Sequence, residues 1–137
     1  MAVIIDVFID SDKKYLPEKK IKTVVANTLV REGKKSALIN IILTSDERIK
    51  ELNRKYLKHN YATDVLSFEL DVEPLVGEIY ISVDTASRQA KEYNVSLQNE
   101  LSRLAIHGAL HLIGYRDNNK MEKDKMTELE NKYLNMN

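Results

Sequence analysis

Apolar and polar positions alternate along the chain with two different periods, and the change of period marks the elements. Val3 to Ile9 is a short apolar run dominated by β-branched residues, which predicts a partly buried strand. Pro17 is expected to open a helix, since a proline in the first turn lacks only a donor that has no intrahelical partner. Ile21, Val24, Val25, Thr28 and Leu29 then recur at helical spacing, and Gly33 with Lys34 and Lys35 supplies a stop that suits the helix C-terminus. Residues 37–43 predict a second strand. Thr44 with Glu47 three residues later reads as a capping box for a helix with Ile49, Leu52 and Tyr56 on its inward stripe, ending near Leu57.

Residues 64–70 and 78–83 are strand-like, and the stretch 71–77 between them, with one proline and one glycine, predicts a loop. Residues 84–93, 97–113 and 121–134 predict helices, with Ser96 as N-cap of the second and Gly114 just past its end. Strands and helices alternate, and helices finish the chain. This order predicts an α+β class: a mixed sheet of about four strands covered by helices, built as a single domain over residues 1–137. The chain shows no internal repeat or low-complexity segment that would support a second domain.

Composition narrows the chemistry. The chain has no cysteine, so disulfides and thiolate metal sites are excluded, and a transition metal must be held by imidazole and carboxylate. Lysine plus arginine equals aspartate plus glutamate at 21 each, which removes the strongly basic signature of a protein dominated by phosphate contacts. Lys13, Lys14, Lys19, Lys20, Lys22, Lys34 and Lys35 are nevertheless concentrated toward the start, as expected of a solvated helix face and its flanks. No secretory leader and no apolar run of about 18 residues is present, so a soluble cytoplasmic protein with no membrane partner is expected.

The candidate chemistry lies in residues 107–117. His107 and His111 stand four apart in a strongly helical segment, which projects both imidazoles from one face. Gly114 then breaks the helix, and a turn there can bring Asp117 back over the pair as a third ligand. The remaining histidine, His59, is a rival for that position from a distant loop. Three protein ligands with a fourth position left to water is the catalytic arrangement for zinc, which lowers the pKa of that water to about 7. One zinc ion per chain is therefore expected, on a helix of the C-terminal half and the following turn. A metallopeptidase of the H-E-x-x-H kind needs a glutamate after the first histidine, and Gly108 stands there, which disfavours peptide hydrolysis.

The run His107-Gly108-Ala109-Leu110-His111-Leu112-Ile113-Gly114-Tyr115 resembles the H-G-x-L-H-L-x-G-Y-D-H signature of the YbeY family, bacterial metal-dependent endoribonucleases. Leu52-Asn53 followed by Thr63-Asp64-Val65-Leu66-Ser67-Phe68 is similar to the family's L-N…P-T-D-V-L-S-F stretch, and Gly77-Glu78-Ile79 resembles its G-D-I. The resemblance implies a zinc-dependent single-strand endoribonuclease of 16S ribosomal RNA 3′-end maturation and ribosome quality control, with ribosomal RNA and the small subunit as partners. The oligomeric state is left open.

Two positions depart from the family pattern. The third histidine is replaced by Asp117, which lowers the positive charge of the site by one and should make a bound water less acidic. Leu57 stands where the family carries an arginine thought to meet the RNA phosphate. Arg54, one helical turn earlier, and Lys58 are the candidates to take over that role, and Asp64 is the candidate to orient water. Glu78 is a second candidate for orienting water, and both carboxylates, like Thr63 and Ser67, are read first as structural hydrogen-bond partners at strand ends. The Leu57 departure also leaves a second reading, a non-catalytic metal-containing factor that binds RNA or assists ribosome assembly.

Overall fold

Four strands and five helices follow in the order β1 (Val3–Ile9), α1 (Glu18–Arg31), β2 (Ala37–Thr44), α2 (Asp46–Leu57), β3 (Val65–Asp71), β4 (Leu75–Ser82), α3 (Val83–Glu92), α4 (Leu97–Leu112) and α5 (Lys120–Leu134). They are seen in a computed structural model that describes residues 2–13 and 15–136, so Lys14 of the lysine-rich stretch lies outside the described residues. The strands make one mixed sheet, ordered β1-β2-β4-β3, in which β1, β2 and β4 are parallel and β3 runs antiparallel to β4. The α+β class and the four-stranded mixed sheet agree with the sequence reading.

Alternation across each strand sorts the apolar residues into two layers. Ile39, Ile41 and Leu43 of β2 and Ile79 and Ile81 of β4 share the principal core with Ile21, Val24, Val25 and Leu29 of α1 and Leu101, Leu104 and Ala105 of α4. The other face carries a smaller cluster, where Ile49 and Leu52 of α2 meet Leu66 of β3 and Phe68 and Tyr80 pack alongside. Helix α4 is the centre of the first layer, in contact with β3, β4, α1, α3 and α5. Each fully buried Leu or Ile on it contributes roughly 1.5–3 kcal/mol, so the axis that carries His107 and His111 is fixed by packing on several sides.

Gly108 lets this helix approach the sheet. A Cβ at that position would lie 2.6 Å from Ile79 Cγ2 and 3.0 Å from Ser67 Oγ, while the Ser67 hydroxyl donates to the Gly108 carbonyl at 3.0 Å. The glycine that replaces the peptidase glutamate is thus a packing residue, and Ser67 is structural, as read from sequence. Gly108→Ala is expected to destabilise the fold by about 1–3 kcal/mol, the usual cost of overpacking. Urea unfolding checks this, and an unchanged midpoint would contradict the close approach.

Several boundaries differ from the sequence reading. The expected capping box at Thr44 is replaced by Ser45, whose side chain accepts from the Arg48 amide at 3.2 Å. Thr44 is instead the buried last residue of β2, and its hydroxyl donates to Asp10 Oδ2. Pro17 is the N-cap of α1, and the helix proper begins at Glu18. The expected loop over 71–77 is mostly strand: β3 runs to Asp71 and β4 starts at Leu75, joined by a tight turn with a cis Glu73-Pro74 bond. Val83 begins α3, and α5 begins at Lys120 behind an Asn119 cap.

Asp46 ties α2 to α3. Ser82 Oγ and Thr85 Oγ1 donate to its Oδ1 at 2.5 and 2.6 Å, and Arg88 Nη2 donates to Oδ2 at 2.8 Å. Partial burial pushes the Asp46 carboxyl up, but these hydrogen bonds outweigh it and hold the group below the usual aspartate range.

Candidate metal centre

The end of α4 explains how a chain segment after the helix returns to it. Gly114 N–H donates to the His111 carbonyl and Tyr115 N–H to the Leu110 carbonyl, at 3.1 and 3.0 Å. This pair of bonds, with Gly114 at φ +106, is a Schellman closure, and the left-handed residue turns the chain back across the helix face. The turn sets Asp117 opposite the two histidines. His107 Nε2 and His111 Nε2 lie 2.9 Å apart, and Asp117 Oδ2 is 3.4 Å from each. Among the described residues, this is the group of histidine and acidic side chains whose ligand atoms converge on one point.

The hydrogen bonds on the far sides of the rings settle which nitrogens face the centre. The Tyr115 carbonyl can only accept, so His111 donates to it from Nδ1, at 2.9 Å. His107 Nδ1 donates in the same way to the Glu130 carboxylate, at 2.6 Å. In the neutral rings each Nε2 then keeps its lone pair and turns it inward, the tautomer required of a metal ligand. Two such lone pairs 2.9 Å apart need a positive centre between them, a proton or a metal cation. Ligands about 2.0–2.1 Å from a tetrahedral zinc stand roughly 3.3–3.4 Å apart; the two carboxylate-to-imidazole distances match that spacing, while the two Nε2 atoms, at 2.9 Å, stand closer than a bound zinc would hold them. All three side chains are partly exposed.

A buried polar chain stands behind His107. Glu130, on α5, is 3% exposed, and its second oxygen accepts from Arg103 Nη1 at 2.9 Å. Arg103 also donates to Glu100 through Nε and Nη2, and Gln89 of α3 donates to Glu100 at 2.7 Å. Burial works against the charge on Arg103, but Glu100 and Glu130 overcome it and push its pKa up. Burial also works to lower the pKa of His107, and the hydrogen bond and charge of Glu130, followed by the charges of Asp117 and Asp64, raise it on balance.

On the other side of the site, Tyr115 Oη donates to Glu32 at 2.7 Å, and Tyr133 donates to the other oxygen of the same carboxylate. The end of α1 thereby pins the turn that carries the Tyr115 carbonyl and Asp117. For Tyr115 the Glu32 hydrogen bond is the main cause of a raised pKa, and for Tyr133 burial comes first and Glu32 second.

Of the sequence-predicted residues, His107, His111 and Asp117 are brought together and His59 is not. His59 is exposed after α2, stacked on Tyr61. Arg54 is exposed on α2, and Lys58 is the left-handed C-cap of that helix; neither makes an ion pair among the described residues. Asp64 directly precedes β3, near enough for its charge to act on His107. Glu78 faces the α2 side of the sheet, accepts from Tyr80, and is not part of the centre.

Glu130 and the Tyr115 carbonyl went unread in the sequence. A backbone oxygen leaves no trace in composition. Glu130 does leave one: Met126, Leu129 and Tyr133 define the buried stripe of α5, and a carboxylate inside an apolar stripe must find a partner.

Comparison with known proteins agrees with the motif. A family model described as endoribonuclease YbeY matches residues 7–137. An endoribonuclease YbeY of Chloroherpeton thalassium is 42% identical over 123 residues, covering 89% of this chain and 87% of that protein. One from Aquifex aeolicus is 37% identical over 133 residues, covering 93% and 89%. A solution structure of TM1509 from Thermotoga maritima is similar with a TM-score of 0.65 and 31% identity, covering 96% of this chain and 87% of that one.

Proposed function

The chain belongs to the endoribonuclease YbeY family, and we propose that it is a zinc-dependent hydrolase that cleaves phosphodiester bonds in single-stranded RNA. Its physiological task in this reading is 16S ribosomal RNA 3′-end maturation and ribosome quality control. The partners are ribosomal RNA and the small subunit, the compartment is the cytoplasm, and residues 1–137 act as one domain. Among the described residues no helix is long and apolar enough to cross a membrane. The observation that carries the reading is the convergence of His107 Nε2, His111 Nε2 and Asp117 Oδ2, with both imidazoles held in the ligating tautomer.

Zinc held by these three groups would supply a Lewis acid for a phosphoryl oxygen and lower the pKa of water. The protein's own groups do the rest. Glu130 and the Tyr115 carbonyl keep the rings from turning, so the centre needs little reorganisation when substrate arrives. Asp64, one of the charges that raise the His107 pKa, is assigned to orient the attacking water. Arg54 and Lys58 carry charges not committed to ion pairs, and are assigned to meet phosphates in place of the arginine absent at Leu57.

Incubation of the purified protein with a 5′-labelled single-stranded RNA tests the activity. Endonucleolytic products that disappear with chelator and return with zinc are expected. RNA that remains intact with zinc and with other divalent metals would remove the catalytic reading and favour a metal-containing RNA-binding or assembly factor.

A further inference from the structure

Between α2 and β3 lies a feature that the cleavage chemistry of the proposed RNase centre does not use. The rings of His59 and Tyr61 are stacked in the segment between α2 and β3, with centroids 5.3 Å apart and planes 12° from parallel, and a 3.1 Å hydrogen bond joins Tyr61 Oη to His59 Nδ1. Both residues are exposed, Tyr61 by 55%, so the stack is not a core contact.

It is nonetheless held in place. Asn53, 2% exposed on α2, accepts from the His59 amide at 3.1 Å through its backbone carbonyl and donates from its side-chain Nδ2 to the Tyr61 carbonyl at 2.9 Å. One buried residue thus anchors the backbone at both members of an aromatic pair that lies largely in water. The same stretch carries Arg54 and Lys58, cations without ion-pair partners among the described residues. It leads directly into Asp64, just before β3.

We propose that the His59–Tyr61 stack is a nucleobase platform on which an unpaired base of the RNA strand extends the stack, while Arg54 and Lys58 face its phosphates. The inference rests on the RNA reading of the metal centre and adds a binding subsite to it. Single-strand sites combine aromatic surfaces with a positively charged track, and each base stacked on an aromatic side chain is tolerant of sequence because every base has a π-face. Preorganisation by Asn53 removes much of the ordering cost that an exposed loop would otherwise carry.

The test uses a fluorescent 2′-O-methyl oligoadenylate and the same strand with abasic positions, titrated against wild type, Tyr61→Leu, His59→Ala and Tyr61→Phe. Anisotropy gives affinity, and 2-aminopurine placed in the strand reports stacking by its quenching. Tyr61→Leu and His59→Ala are expected to weaken binding of the base-containing strand roughly ten- to a hundredfold and to relieve the quenching, while Tyr61→Phe, which keeps the ring, stays near wild type. The abasic strand should bind wild type and Tyr61→Leu alike. Equal affinity and quenching for wild type, Tyr61→Leu and His59→Ala would overturn the platform and leave the RNase reading intact if wild type still cleaves RNA. No binding of the oligonucleotide by wild type, together with no cleavage, would overturn both.

Discussion

His111→Ala is expected to lower zinc affinity by more than about a hundredfold and to abolish RNA cleavage while leaving a folded protein. The scale follows from the outer shell: losing a hydrogen-bond partner of a ligand costs about 10–100-fold in metal affinity or activity, and losing the ligand itself should cost more. His111 is partly exposed and its ring touches His107 at an 80° interplanar angle, so the alanine variant opens the centre without emptying the principal core. Competition against a chromophoric chelator reads the affinity, and urea unfolding of the metal-free protein reads the fold. Zinc affinity equal to wild type would contradict the assignment of Nε2 as a ligand.

The second large effect is expected at Glu130, which no inspection of the histidine motif would choose for mutation. Glu130→Ala leaves His107 Nδ1 and Arg103 Nη1 without their acceptor in a nearly closed environment. Removing one partner of a buried pair costs about 3–5 kcal/mol, and the lower end is expected here because Glu100 still accepts from Arg103. Glu130→Gln keeps the shape and one acceptor but removes the charge. It is expected to weaken zinc binding by about 10–100-fold with a smaller loss of stability. Chelator competition and thermal unfolding separate the two quantities. Wild-type metal affinity in the Gln variant would show that Glu130 only supports the fold.

Much of this architecture was legible in sequence because the signals were local. The β-branched runs gave β1 and β2, the helical spacing of Ile21 to Leu29 gave α1, and Ser96 and Gly114 bounded α4. The convergence of His107, His111 and Asp117, a group that could hold a metal ion, was legible for the same reason: two histidines at helical spacing and a glycine turn place the third group within one short segment. The two strands of the hairpin are legible but their ends are not: the proline and glycine of 71–77 predict a loop over the whole stretch, whereas β3 and β4 pair up to Asp71 and Val76 around a short turn.

What sequence order hid was everything that depends on distant elements meeting. Glu130 lies 23 residues beyond His107, and Glu32 lies 83 residues before Tyr115. Both reach the site only because α5 and α1 pack against α4. The His59–Tyr61 stack was hidden for a different reason, since two residues on one loop have no period to reveal which way their rings face.

The most direct measurement is elemental analysis of the untagged protein purified without chelator, with Asp117→Ala prepared in parallel. Close to one zinc per chain in wild type, sharply reduced in Asp117→Ala, is the result that the His107, His111 and Asp117 site predicts. Wild-type protein that remains free of metal after incubation with zinc would contradict it.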